Sequence, residues 1–276
     1  MAGHHQEAAE FNRSFAVTTS HRPSQAGIHL GKQFADELQA PFAERNDLSL
    51  KTLTASLQVR GLVVVSTHRV SYFTGGQEFF FHPGLAKLRI NGLKNGKTDQ
   101  MINAMSLRPG DRVLDCTLGL GADSIVASSV VGVNGRVTGL EDSCVISALV
   151  RHGLSTYSDP EEELTRAMRR IGVININHRE YLAGLAPQSY DVVYFDPMFR
   201  LPRLHSPYMD AMRVLANPHP VDRETIGLAL RTAARRVVMK ERRGSNEFER
   251  LGFDRVDGGR YAPVVYGVIE RKNLVT

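Results

Sequence analysis

The chain has 276 residues, 42% of them hydrophobic, and a formal net charge of +5. That length holds one large or two modest domains with a full apolar core. Two cysteines make neither a disulfide framework nor a metal site, no apolar run approaches the roughly 20 residues of a membrane span, and the opening Met1-Ala-Gly-His-His-Gln-Glu lacks the basic-then-apolar profile of a secretory signal.

A cytoplasmic protein without membrane or metal is the expectation, and nothing in the sequence fixes its oligomeric state, a homodimer being one assembly it allows. The basic excess is compatible with a polyanionic partner. It is concentrated in the C-terminal third, at Arg200, Arg203, Arg213, Arg231, Arg235, Arg236, Lys240, Arg242 and Arg243.

Residues 1–22 are polar with little periodicity and read as a flexible N-terminus. Over 27–60, Ile28, Leu30, Phe34, Leu38 and Phe42 recur at helix-like spacing. Leu62–Val65, Val70–Phe73 and Glu78–His82 read as strands, the last two joined by a Gly75-Gly76 turn. Residues 23–92 are therefore expected to form a small α+β N-terminal subdomain.

From residue 93 onward, helix and strand alternate. Helices are expected over 98–105, 122–131, 143–153 and 222–234, and strands over 112–116, 135–140, 173–177, 191–195, 236–239 and 264–270. A further helix opens at Ser158-Asp-Pro, with Ser158 or Asp159 as cap and Pro160 in its first turn. Strand 191–195 is apolar almost throughout, as in a strand buried on both faces. The fold class expected is α/β, a mostly parallel doubly wound sheet over 93–276.

The first chemical signal is Val113-Leu-Asp-Cys-Thr-Leu-Gly-Leu-Gly-Ala-Asp-Ser124. Gly119 and Gly121 let backbone approach a ligand without a Cβ between them, and the helix that follows directs its free N–H groups at the same place. The dinucleotide fingerprint Gly-x-Gly-x-x-Gly is incomplete, since residue 124 is Ser. Asp115 would repel a pyrophosphate, whereas it would attract the ammonium and sulfonium of S-adenosylmethionine. Glu141, at the end of the next strand, is placed for both ribose hydroxyls of an adenosine. The bland alternative is a structural glycine turn.

The second signal is Tyr194-Phe-Asp-Pro-Met-Phe199 at the end of the fourth strand of this domain, on the rim that carries Gly119, Gly121 and Glu141. Asp-Pro alone is a common strand-end turn. Asp196-Pro-Met-Phe199 also looks like a variant of the Asp/Asn-Pro-Pro-Tyr/Phe motif of enzymes that methylate planar amino nitrogens. An exocyclic amine is a poor nucleophile because its lone pair is delocalised into the ring. Asp196 and the Pro197 carbonyl can accept its N–H bonds and favour an exposed lone pair, while Phe199 can stack on the base.

Together, segments 115–123, 140–142 and 192–199 resemble the SAM-dependent methyltransferase family that includes ribosomal RNA small subunit methyltransferase J, over about Phe79–Glu270. The resemblance implies a class I, Rossmann-like domain, S-adenosylmethionine as cofactor, and guanine N2 in ribosomal RNA as acceptor. It implies that Ala122 and Asp123 line the cofactor, with Glu141 and Asp142 at the ribose and adenine and Glu180 and Tyr181 beside the adenine. Asp196 then sits at the transfer site between cofactor and acceptor, with Pro197 and Phe199 as catalytic partners. Met198, Arg200, Arg203 and Lys240 fall to the acceptor side, the arginines as phosphate contacts.

Three other readings remain: a methyltransferase for a small molecule or protein, a non-catalytic nucleoside- or RNA-binding module, and an NAD-dependent enzyme. His205 reads as a surface histidine rather than a base.

Overall fold

The computed structural model describes residues 15–197, 212–217 and 219–271. Within them the chain divides into two compact units.

The first unit is built on a four-stranded sheet, β1 (Phe15–Thr19), β2 (Gly61–Val65), β3 (Val70–Thr74) and β4 (Gln77–Phe80), in that spatial order. Strand β1 is buried throughout and pairs parallel to β2; the other pairs are antiparallel. Residues 15–19 are thus a strand, where the sequence was expected to run as a flexible terminus to residue 22. The run Phe-Ala-Val-Thr-Thr, rich in β-branched residues, is the signal that was overlooked.

The stretch expected to be helical over 27–60 holds two helices, α1 (Gln25–Glu37) and α2 (Leu50–Leu57), capped by the hydroxyls of Ser24 and Ser49. Between them Pro41 interrupts the helical pattern. Val17 N–H donates to the Pro41 carbonyl at 2.9 Å, and Ala43 N–H donates to the Val17 carbonyl at 2.8 Å. This segment joins the sheet edge instead of continuing a helix.

The second unit begins at Pro83, about ten residues before the expected boundary. The helix that follows, α3 (Gly84–Lys94), packs against α5 (Ala122–Val131) of the larger unit, which explains the shift. The short helix α4 (Gln100–Met105) is capped by the Asp99 carboxylate on Met101 N–H and Ile102 N–H.

The core of this unit is a seven-stranded sheet. Its strands are β5 (Arg112–Asp115), β6 (Arg136–Glu141), β7 (Ile171–Asn175), β8 (Tyr190–Phe195), β9 (Ala233–Arg242), β10 (Arg255–Asp257) and β11 (Val264–Glu270), in spatial order β10-β11-β9-β8-β5-β6-β7. Strands β5 to β9 are parallel, and β11 is antiparallel to both β9 and β10. The chain steps outward from β5 to β6 and β7, then returns to β8 on the other side of β5. In open α/β sheets that reversal opens a crevice beyond the carboxyl ends of the central strands.

Helices α6 (Cys144–Thr156), α7 (Glu162–Arg169), α8 (His178–Gly184), α9 (Arg223–Thr232) and α10 (Glu247–Leu251) complete the described elements. The expected opening of α7 at Ser158 is corrected. Asp159 is held by Lys87 Nζ at 2.9 Å and by Glu161 N–H at 3.0 Å, so helical turns start only beyond Glu161.

Leu114, Val193, Phe195 and Val237 are fully buried in one cluster. Each contributes about 1.5–3 kcal/mol through burial, and together they fix the strand ends that carry the polar residues described next. Among the described residues no helix is long and apolar enough to cross a membrane, and no His, Cys, Asp or Glu cluster could hold a metal.

Candidate active site

The β5–α5 connection folds over its own acid. Asp115, almost fully buried, accepts from Ser124 Oγ at 2.7 Å and from Thr117 N–H at 3.1 Å. Ser124 stands where the dinucleotide fingerprint has its third glycine, and its hydroxyl is what the buried carboxylate needs. Asp115 was expected to face a ligand amine; the structure instead places it beneath the loop, as the group that shapes it.

Gly119 (φ +50°) and Gly121 (φ +76°) take the left-handed conformation that their missing Cβ permits. A Cβ at Gly119 would meet only the Thr117 carbonyl, at 3.9 Å, so the backbone there faces open space. Helix α5 begins on Gly121 with no side chain capping it. These bare N–H groups at the positive end of the helix are complementary to a carboxylate such as that of a methionine moiety.

Glu141 closes the other side of the loop. Its Oε2 accepts from Gly119 N–H at 3.1 Å and its Oε1 from Ser143 N–H at 2.9 Å. Each oxygen keeps a lone pair for a ribose hydroxyl. The loop and Glu141 thus fit the nucleoside cofactor expected from the sequence.

Strand register brings the second motif level with this loop. Asp115 lies opposite Tyr194 and Phe195 opposite Met239, so Thr117, Asp196 and Lys240 follow side by side on the rim. Asp196 N–H donates to Thr117 Oγ1 at 2.5 Å, and Lys240 Nζ donates to Asp196 Oδ2 at 2.6 Å. Among the described residues Asp196 Oδ1 accepts no hydrogen bond.

Lys240 was expected to contact the acceptor; the structure shows it bridging two carboxylates, reaching Asp123 Oδ2 at 3.1 Å as well. Asp123 also accepts from the Tyr194 hydroxyl at 2.7 Å and is held on its other oxygen by Arg89. Arg89 in turn forms a fork on Asp99, through Nε at 2.8 Å and Nη2 at 3.0 Å. Asp123, expected to line the cofactor, is therefore wholly engaged by protein groups.

Arg89, Asp99, Thr117 and Tyr194 are functional candidates that the sequence reading passed over. Asp99 carried a readable signal, an acid immediately before the apolar helix it caps. Arg89 carried none, since its partners are 10 and 34 residues away.

The remaining expected residues separate. Asp142 is exposed and accepts from Asn217 Nδ2 at 2.7 Å, on the rim beside Glu141. Glu180 lies exposed in the first turn of α8. Tyr181 turns the other way: its hydroxyl meets that of Tyr190, at 3.2 Å, at the start of β8 rather than the end that carries Asp196. Its ring is partly buried and packs against the core cluster, away from the rim that carries Asp196. His178 sits edge-on to Phe195, with ring centroids 5.7 Å apart, near that strand end. Met198, Phe199, Arg200, Arg203 and His205 lie outside the described residues; Pro197 is described.

Burial dominates the electrostatics of the loop. It pushes the carboxyl of Asp115 up to about 6, against the Ser124 hydroxyl and the Thr117 N–H, and that of Glu141 up to about 7, against the N–H groups of Ser143 and Gly119. Both acids bind protons more tightly in the folded chain than unfolded. Their contribution to stability is complete below about pH 4, falls as pH rises and is lost above about pH 7. Urea denaturation is expected to show stability declining between pH 5 and 7, and Glu141→Gln is expected to flatten part of that decline. An unchanged slope in the variant would remove Glu141 from the effect.

Comparison with known proteins gives the family and the fold. Residues 77–251 match a family described as "Putative SAM-dependent methyltransferase". Protein YpiP of Bacillus subtilis strain 168 is 41% identical over 255 residues, spanning 92% of this chain and 98% of that one. Ribosomal RNA small subunit methyltransferase J of Cellvibrio japonicus strain Ueda107 is 31% identical over 158 residues, which are 54% of this chain and 58% of that enzyme. The crystal structure of a SAM-dependent methyltransferase from Neisseria gonorrhoeae superimposes with a TM-score of 0.61, covering 94% of this chain and 96% of that one at 19% identity. That last likeness is one of fold.

Proposed function

The chain belongs to this SAM-dependent methyltransferase family, and within that activity we propose an N-methyltransferase whose acceptor is the exocyclic amine of a base in ribosomal RNA, guanine N2 foremost. The observation that carries the reading is Asp196. Its backbone N–H is tied to Thr117 and its carboxylate Oδ2 to Lys240, level with the glycine loop, and among the described residues Oδ1 has no donor. S-adenosylmethionine supplies an electrophilic methyl group.

This chain's residues hold and orient the nitrogen that receives it. Asp196 Oδ1 accepts one N–H of the amine and the Pro197 carbonyl can accept the other, turning the lone pair out of conjugation. Pro197 itself has no N–H to compete. As the N–CH3 bond forms the S–CH3 bond would break, with S-adenosylhomocysteine leaving; the nitrogen, now cationic, sheds a proton, and Asp196 is the base at hand. Much of the remaining effect is alignment of the reacting atoms.

RNA as acceptor is supported by the relatives of the enzyme J type and by the rim itself. The turn between β10 and β11 lies at the carboxyl end of β9, because Val264 pairs with Arg242. Tyr261 on that turn is 85% exposed, with the Arg260 guanidinium 5.5 Å from its ring centre. An exposed ring beside a cation suits a stacked base and its phosphate. Tyr261→Ala is expected to weaken binding of ribosomal RNA roughly 5- to 100-fold in filter binding, the equivalent of about 1–3 kcal/mol per stacked base. Unchanged affinity would exclude Tyr261 from the RNA path.

Gly119→Ala tests the cofactor side. The substitution places a Cβ on the open face at a positive φ. Calorimetry with S-adenosylhomocysteine is expected to show affinity at least about tenfold weaker, a loss of about 1.4 kcal/mol. The acceptor is tested by transfer of tritiated methyl to total RNA from a strain lacking the gene, followed by nucleoside analysis. Label in N2-methylguanosine is the expected result; label in protein with none in nucleosides would overturn the RNA assignment.

A further inference from the structure

Five charged side chains from five places in the fold alternate in sign towards the transfer site. Asp99, the cap of α4, pairs with Arg89 on α3; Arg89 also pairs with Asp123 on α5; Asp123 pairs with Lys240 on β9; and Lys240 pairs with Asp196 at the end of β8. Among the described residues three carboxylates thus share two cations, with Asp196 at the end of the row.

The balance is set at Asp123. Lys240 Nζ is nearer to Asp196 (2.6 Å) than to Asp123 (3.1 Å). Arg89 and the Tyr194 hydroxyl already serve Asp123, so its demand on Lys240 is reduced. We propose that Arg89 is a positioning residue for methyl transfer, acting through Asp123 and Lys240 to keep the Asp196 carboxylate charged and in place. This inference rests on the reading that Asp196 receives the amine, but it can fail independently of it.

Asp196 is faced by Lys240 from β9, Asp123 from α5, Asp115 from β5 and the Tyr194 ring of its own strand, while Tyr266 on β11 faces Lys240. Burial pushes the Asp196 carboxyl up to about 7, with Lys240 opposing and Asp123 and Asp115 adding to it. Burial alone would raise Asp123 too, yet Lys240 and Arg89 outweigh it and hold that carboxyl well below the usual range. Without Arg89, Asp123 keeps its charge and competes for Lys240, so protonation of Asp196 becomes easier.

The experiment is a carboxyl-carbon NMR titration of the full chain labelled with 13C-aspartate, the Asp196 resonance being assigned by its loss in Asp196→Asn. In Arg89→Met the Asp196 midpoint is expected to move up by about one pH unit. It is expected to return when Asp123→Asn is added, because the orphaned charge is then gone. Arg89→Lys keeps the charge and is expected to stay near the native midpoint.

Should Arg89→Met fail to fold, Asp123→Asn alone decides. It leaves Lys240 to Asp196, so the midpoint is expected to fall. A midpoint unmoved in both variants would overturn the positioning role. The titration needs no acceptor, so loss of the Asp196 reading would show separately, as full methyl transfer by Asp196→Ala.

Discussion

Asp196→Ala is expected to lower the rate of methyl transfer about 10²- to 10³-fold, the usual loss on deleting one preorganised polar contact at a reacting centre. Binding of S-adenosylhomocysteine is expected to stay within a few-fold of native, because the loop is organised by Asp115, Ser124 and Glu141 rather than by Asp196. The fold should survive as well: with Asp196 gone, Asp99 and Asp123 balance Arg89 and Lys240 one for one.

The neighbouring substitution sharpens the test. Asp196→Asn keeps an acceptor oxygen but loses the charge, so its activity should be intermediate and nearly independent of pH around neutrality. In the native enzyme the carboxylate is the form that accepts an N–H. With its carboxyl raised to about 7, turnover is expected to climb as pH rises through 7. Single-turnover methyl transfer across pH 5.5–9 measures both effects. Full activity in Asp196→Ala would place the transfer site elsewhere.

Much of the larger unit was legible because its signals are local. Helix 122–131 and strand 264–270 have the bounds that their apolar patterns indicate. The glycine loop and Asp-Pro step announce themselves by residue types that only turns and strand ends require. What was not legible depends on pairing across the chain. Register set Lys240 beside Asp196, through Phe195 opposite Met239, and no local pattern shows that Lys240 bridges carboxylates instead of meeting a substrate. Tyr181 read as an adenine contact because it follows the third strand, yet its spacing in α8 turns it onto Tyr190. Strand β1 was missed because polar flanks masked a five-residue strand with only three apolar residues, Phe15, Ala16 and Val17, a length at which strand and loop signals compete.

Lys240→Met separates the two roles that its position allows. Its side chain is 22% exposed and lies between Asp123 and Asp196. Removing the cation leaves the buried Asp123 carboxylate facing the partly buried Asp196 one, the first held by Arg89 and Tyr194 and the second, among the described residues, by nothing charged. Breaking one partner of such a pair costs about 3 kcal/mol in stability, measurable as a lower urea midpoint.

The larger consequence is chemical. Asp196, already raised by burial, loses the Lys240 charge that opposes it. It becomes protonated across the neutral range, and the carboxylate that would accept an amine N–H is lost. Methyl transfer at pH 7 is expected to fall at least about 100-fold and to recover partly above pH 9 as Asp196 ionises. If Lys240 instead contacts the acceptor, KM rises with no movement of the pH limb. Lys240→Met combined with Asp123→Asn decides between the two: removing the second carboxylate eases the repulsion on Asp196 and should return the limb towards neutrality, whereas a lost contact with the acceptor would not be restored.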